Sequence, residues 1–266
     1  MQDSRPSGGS LAGRTAIVTG GSQGLGEAVA RAFAARGAAA ILLTGRSRAR
    51  GEAVAASLRE SGCDARFHAA DLADLDAVRS IVPAAEKAFG RLDILVNAAG
   101  DTDRGTILDT TPELYERVMA VNLRAPFFLI QDAAALMRRH AIAGAIVNIQ
   151  SMSAHGGQPF LAAYSVSKGA LATLTRNAAY GLLADRIRVN GLNIGWMATP
   201  GEDAIMRSRH DARDGWLEEA AAGRPFGRLI DPAEVARAVA YLASDESGLM
   251  TGSNIDFDQT ILGAHD

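Results

Sequence analysis

A lone cysteine, Cys63, rules out an internal disulfide, and one thiol among five scattered histidines offers no metal-ligand spacing. A reducing cytoplasm and no metal are the expectation. Cationic excess is missing too. Lys and Arg number 27 against 30 Asp and Glu, a net charge of −3, so nothing draws the chain to nucleic acid or to an anionic membrane. Apolar runs stay well short of the roughly 18 residues a membrane span needs. The opening MQDSRPSGGSLAG lacks the apolar core of a signal peptide and reads as a flexible arm over residues 1–12. What is present is a 266-residue chain, 48% hydrophobic and 21% charged, as in folded globular proteins rather than disordered, collagenous or coiled-coil ones. That length supports a large core without disulfides or metals.

Short β-branched or aliphatic runs alternate with longer Ala-rich amphipathic segments. TAIVT (15–19) precedes a helix over 27–36, AILLT (40–44) one over 48–60, ARFHA (65–69) one over 75–89, and DILVN (93–97) a long segment over 112–139. AIVNI (145–149), a helix over about 162–183, and RVNGL (188–192) continue the series. The pattern predicts an α/β, Rossmann-like, doubly wound parallel sheet with helices on both faces, a single domain over residues 13–262. Thr111 before Pro112, and Asp231-Pro232 with Glu234 before a helix over 235–242, read as helix entries. Residues 196–230 have weak periodicity and read as a mobile, substrate-facing excursion.

The first strand runs into GGSQGLG and then a helix, so Gly20, Gly24 and Gly26 fall at a strand-to-helix turn with Ser22, Gln23 and Leu25 between them. Backbone amides at a helix N-terminus meet a pyrophosphate only where no Cβ intervenes, and the helix dipole favours an anion there. A turn that merely packs helix on strand needs the same glycines. Tyr164 and Lys168 lie four apart on one face of a helical segment, and Ser151 lies at the end of an apolar strand, where open α/β sheets place ligands. A free tyrosine titrates near about 10, so acid/base work near neutrality asks for roughly 4 kcal/mol of preferential phenolate stabilisation, which an adjacent ammonium can supply. Neighbouring Ser153 is a competitor for the role of Ser151. Asn122 precedes Pro126 by four residues, and the proline cannot donate to the Asn122 carbonyl, so a kink is expected there.

TGGSQGLG, VNAAG at 96–100, and Asn122, Ser151, Tyr164 and Lys168 in this order and spacing resemble the short-chain dehydrogenase/reductase family, over Gly13 to Ile261. The resemblance implies an NAD(P)-dependent oxidoreductase acting on a small molecule, with those four residues catalytic and a homo-oligomer, tetramer or dimer, as the assembly. A catalytically silent nucleotide-binding regulator of the same fold is the alternative. The glycine-turn residues, Asp71 and Leu72, Asn97, Ala98 and Gly100, Tyr164, Lys168, Ile194 and Thr199 are then the cofactor contacts. Asp71 is also a candidate helix cap. Arg46, at the end of the second strand, can pair with a 2′-phosphate, which favours NADP(H). Against that stand Gln23, where relatives carry a second basic residue, and the reading of Arg46 as a solvated charge; NAD(H) stays possible. Val96, Ile194 and Asp258-Gln259-Thr260 depart from the family pattern. Ser153, His155, Gln158, Trp196 and Met197, with Glu202, Asp203, Arg207 and His210 beyond, are candidate substrate-lining residues. Their polarity suggests a sugar, polyol or hydroxy acid.

Overall fold

The alternation of apolar runs and amphipathic segments becomes a sheet because its strands have apolar side chains on both faces, so each face must be covered. In the computed structural model, which describes residues 10–264, seven parallel strands take the order β3-β2-β1-β4-β5-β6-β7. They are β1 (Thr15–Thr19), β2 (Ala40–Gly45), β3 (Asp64–Ala69), β4 (Ile94–Asn97), β5 (Ala145–Ser151), β6 (Arg188–Ile194) and β7 (Asn254–Phe257). Ala16 and Val18 point into one core, with Phe33 of α1 (Gly24–Ala35), Leu58 of α2 (Arg48–Glu60) and Val239 of α9 (Pro232–Ala243). Ile17 points into the other, with Ile81 of α3 (Leu75–Phe89), Leu129 of α5 (Ala125–Arg139) and Ala179 of α6 (Ala162–Gly181). The doubly wound, Rossmann-like sheet is therefore as expected. The strand order reverses between β1 and β4, the place where such sheets open a cleft at their carboxyl ends.

Helix ends follow local chemistry. Thr111 accepts from the Leu114 amide at 3.2 Å to start α4 (Pro112–Met119), and Asp231 with Glu234 forms a capping box that starts α9 at Pro232, earlier than its apolar stripe. Asp74, not Asp71, caps α3; Asp71 accepts from the Ala73 amide at 3.0 Å instead. The segment over 112–139 is not one helix. A π turn over Ala120–Arg124 separates α4 from α5, so the irregularity expected from Pro126 takes the form of a widened turn.

Three expectations need correction. Leu11, assigned to the flexible arm, is fully buried and its amide donates to the Arg36 carbonyl at 3.1 Å; residues 1–9 lie outside the described residues. The excursion over 196–230 is not irregular: it forms α7 (Pro200–Arg209) and α8 (Trp216–Ala222), and a bridge between Met197 and Ile230 closes its base. The segment NIDF adds a seventh strand that the sequence reading did not anticipate.

Candidate active site

The glycine turn is built as the backbone requires. Gly20 has φ +69°, and a Cβ there would sit 3.0 Å from Ala99 Cα. A Cβ on Gly26 would lie 2.3 Å from the Gly20 carbonyl oxygen, so the turn closes only with hydrogen at that position. Gln23 occupies the N-cap of α1 without a side-chain bond to the helix, which leaves the first-turn amides to an anion. Ser22, Leu25 and Gly26 are buried, while Gln23 and Gly24 are partly open. Gly24 faces Thr199, whose side chain would be 3.7 Å from an added Cβ.

The loop after β4 lies against this turn. Thr19 Oγ1 accepts from the amides of Ala98 and Ala99, both at 3.0 Å, and Asn97 donates to Asn148 at 2.8 Å, tying β4 to β5. A Cβ on Gly100 would stand 3.7 Å from Lys168 Nζ and 3.6 Å from Asn122 Oδ1, so this glycine keeps open a cradle between loop and lysine. Arg46 is exposed just beyond β2, Asp71 is exposed beyond β3, and Leu72 beside it is buried. Uncapped amides and an open cradle fit a dinucleotide along the carboxyl edge of β1, β2, β3 and β4.

Ser151, Tyr164 and Lys168 come together across β5 and α6. Ser151 is buried at the end of β5, and its hydroxyl favours the ionised form of Tyr164. Its hydroxyl also lies 3.1 Å from that of Ser153, which in turn donates to Gln158. Ser153, equally buried, is thus held by Ser151 on one side and Gln158 on the other. A line of donors runs from Ser151 to Ser153 to Gln158. Lys168 Nζ lies 5.6 Å from the centre of the Tyr164 ring and donates to the Ile149 carbonyl at 2.8 Å. The Asn122 side chain is fully engaged: it donates to the Asp101 carbonyl and to Ser167 and accepts from the Asp101 amide, holding the loop after β4.

The electrostatics differ from the expectation. Burial pushes the Tyr164 phenol above its ordinary value; the Ser151 hydroxyl opposes this, Glu202 adds to the rise, and Arg104 opposes it. Lys168 is not among these influences, and burial pushes its own pKa down to about 8. Both groups share one low-dielectric pocket, and desolvation there outweighs their mutual attraction.

The substrate-lining candidates separate. Trp196 donates to Glu202 at 2.9 Å and stays half-buried, but Met197 packs on the core beside α9 and is better read as structural. His155 is taken up by Asp256 at 3.1 Å and by Asn193, bridging the turn after β5 to β6 and β7 rather than standing free over the cleft. Asp203 and Arg207 pair along α7, with Asp203 also held by Trp216, and His210 accepts from Arg104. Thr199 caps α7, accepting from the Glu202 amide at 3.1 Å, which still leaves its hydroxyl proton free to donate. Ile194, half-buried at the end of β6, packs on the first core. Asp258 crowds Gly195, where an added Cβ would be 1.9 Å from its carboxylate, and Gln259 bonds Phe226 and Arg228 on the return limb of the excursion. Arg104 was missed by the sequence reading: it follows VNAAG with no motif to mark it.

A family model described as enoyl-(acyl carrier protein) reductase matches residues 20–260. The chain belongs to the short-chain dehydrogenase/reductase family. It is 36% identical to oxidoreductase UcpA of Salmonella typhimurium, over 92% of this chain and 93% of that one. It is also 36% identical to an L-rhamnose 1-dehydrogenase (NAD(P)(+)) of Azotobacter vinelandii, over 93% of this chain and 96% of the other. A crystal structure of a short-chain type dehydrogenase/reductase from Mycobacterium marinum superposes with a TM-score of 0.86 at 30% identity, covering 96% and 97% of the two chains. Membership makes the protein an NAD(P)-dependent oxidoreductase. Among the described residues no helix is long and apolar enough to cross a membrane.

Proposed function

We propose that the protein transfers a hydride between NADP(H), with NAD(H) as the lesser partner, and the carbonyl or secondary-alcohol carbon of a small polar substrate such as a sugar, polyol or hydroxy acid. The observation that carries this is the gathering of Ser151, Tyr164 and Lys168 at the carboxyl end of β5: Lys168 Nζ lies 5.6 Å from the centre of the Tyr164 ring and donates to the carbonyl of Ile149, two residues before Ser151. When bound, the nicotinamide supplies the hydride donor or acceptor and, in its oxidised form, a positive charge beside the phenol. Tyr164 gives its phenolic proton to the developing alkoxide in reduction and takes the hydroxyl proton in oxidation. Ser151 holds the substrate oxygen and shares its developing charge. Lys168 has two ammonium protons left after its bond to Ile149, suited to the ribose hydroxyls. Asn122 holds the wall of the cleft through Asp101. The glycine-turn residues 20–26, Asp71, Leu72, the loop over 97–100, Ile194 and Thr199 would hold the nucleotide, and Arg46 a 2′-phosphate. The relative named for both nucleotides gives reason to test both.

The test is nicotinamide absorbance at 340 nm with sugars, polyols, hydroxy acids and ketones, alongside Tyr164→Phe. Turnover lowered by about 10²- to 10⁴-fold in the variant, with nucleotide binding kept, is expected. A variant as fast as wild type would overturn the assignment of Tyr164. Titration with NADPH and NADH, before and after Arg46→Asp, tests the nucleotide; an unchanged ratio would remove Arg46 from that role.

A further inference from the structure

We propose that Arg104 and Glu202 form the substrate-selecting wall of the cleft and fit it to an uncharged polyhydroxy compound, a sugar or polyol, one of whose hydroxyls donates to Glu202. This rests on the oxidoreductase reading above and narrows its substrate class. Arg104 belongs to the segment after β4, and Gly105 beside it pairs with the strip leading into α6: the Gly105 amide donates to the Phe160 carbonyl and the Ala162 amide to the Gly105 carbonyl, both at 3.0 Å. Tyr164 lies just beyond that strip, in the first turn of α6. Glu202 comes from the opposite side, in the first turn of α7. The two meet at 3.3 Å with their side chains only 14% and 15% exposed.

The guanidinium is held on every side. It donates to the Thr102 carbonyl at 2.8 Å and to His210 at 3.1 Å, and it lies 5.6 Å from the centre of the Phe160 ring. The carboxylate is held through one oxygen alone: Glu202 Oε1 receives both Arg104 and Trp196 Nε1. Among the described residues Oε2 has no partner, yet it is not one of the fully enclosed polar atoms, so it keeps an accessible edge. Geometry puts the pair on the cleft: the Glu202 amide donates to Thr199, which faces Gly24 of the glycine turn, while Gly105, next to Arg104, pairs with the entry to α6 whose first turn carries Tyr164.

These features choose among substrates. A fixed, mostly desolvated carboxylate with one open oxygen is a strong acceptor for a hydroxyl, and a partner that cannot donate leaves it unsatisfied. A hydroxy acid meets Glu202 with like charge and reaches Arg104 only by displacing it. An apolar alcohol offers one hydroxyl, which Ser151 and Tyr164 already claim. A polyol offers a second.

The experiment compares kcat/KM for a panel of aldoses and polyols, including inositol, with cyclohexanol and with lactate, in wild type, Glu202→Gln and Glu202→Asp. Glu202→Gln keeps an oxygen for Trp196 and Arg104 but loses the charge. The best polyol should exceed both comparators in wild type, and Glu202→Gln should cut its advantage over cyclohexanol by about tenfold or more, chiefly through KM. Glu202→Asp should restore part of it. Preference for lactate, or an equal fall on every substrate that marks a merely structural strut, would overturn the proposal. Turnover of cyclohexanol without a polyol preference defeats this inference alone, whereas no turnover on any arm defeats the oxidoreductase reading beneath it.

Discussion

Replacing Lys168 by methionine should make the protein more stable near neutrality while it removes activity. The side chain is 3% exposed, and burial takes its pKa from 10.5 to about 8. Holding that ammonium in the fold therefore costs about 3 kcal/mol at pH 7, partly offset by its bond to the Ile149 carbonyl, worth about 1.5 kcal/mol. Methionine fills similar volume without charge, so a net gain of about 1–2 kcal/mol is expected. The sign with pH follows from which state holds the proton. Below about pH 8 both states are protonated and the cost is present in full. Between there and about 10.5 the unfolded chain keeps a proton that the folded one has released, so the wild type gains stability as pH rises. The advantage of Lys168→Met should thus shrink by about 2 kcal/mol between about pH 7 and 9.5. Urea unfolding of both proteins across that range measures it. An advantage that stays flat with pH, or grows, would refute a buried ammonium at this site.

Ser151→Ala removes a hydroxyl that favours the Tyr164 phenolate, so the acid limb of the pH profile for alcohol oxidation should move to higher pH; a move to lower pH would contradict that influence. Gly26→Ala forces a methyl to 2.3 Å from the Gly20 carbonyl, and titration with NADPH should show weakened binding alongside a stability loss of about 1–3 kcal/mol. Asp93, fully buried, accepts from the Thr15 amide and pairs with Arg91; Asp93→Ala should cost about 3 kcal/mol in denaturant unfolding and leave the nucleotide preference unchanged.

Strands β1 to β6 and helices α2 and α3 were legible because each buries a continuous run or a clear stripe, and periodicity reports burial directly. β7 was not. It is a four-residue edge strand with no fully buried residue; Ile255 and Phe257 alternate toward the first core, but two apolar positions are too short a period to read as a strand. α7 likewise buries no residue; its cap at Thr199 and the Asp203–Arg207 pair hold it, and neither produces a hydrophobic period. Tyr164, Lys168 and Ser151 were readable from order and spacing, but the direction of the tyrosine shift was not, since it depends on how many apolar neighbours surround the ring. Arg104 lies in a segment whose importance comes from what folds onto it from α7, a distance of 98 residues along the chain.

The π turn at Ala120–Arg124 carries one residue more than an α turn would hold. Deleting a residue there would let α4 and α5 fuse into a single rod, yet the fused helix would be rotated by about 100° on one side of the join. Asn122 would swing off Asp101, and the wall of the cleft would lose its anchor without any change in chemistry. The phase slip between two helices is thus what aims this asparagine, and length in that stretch should tolerate change far less than composition does.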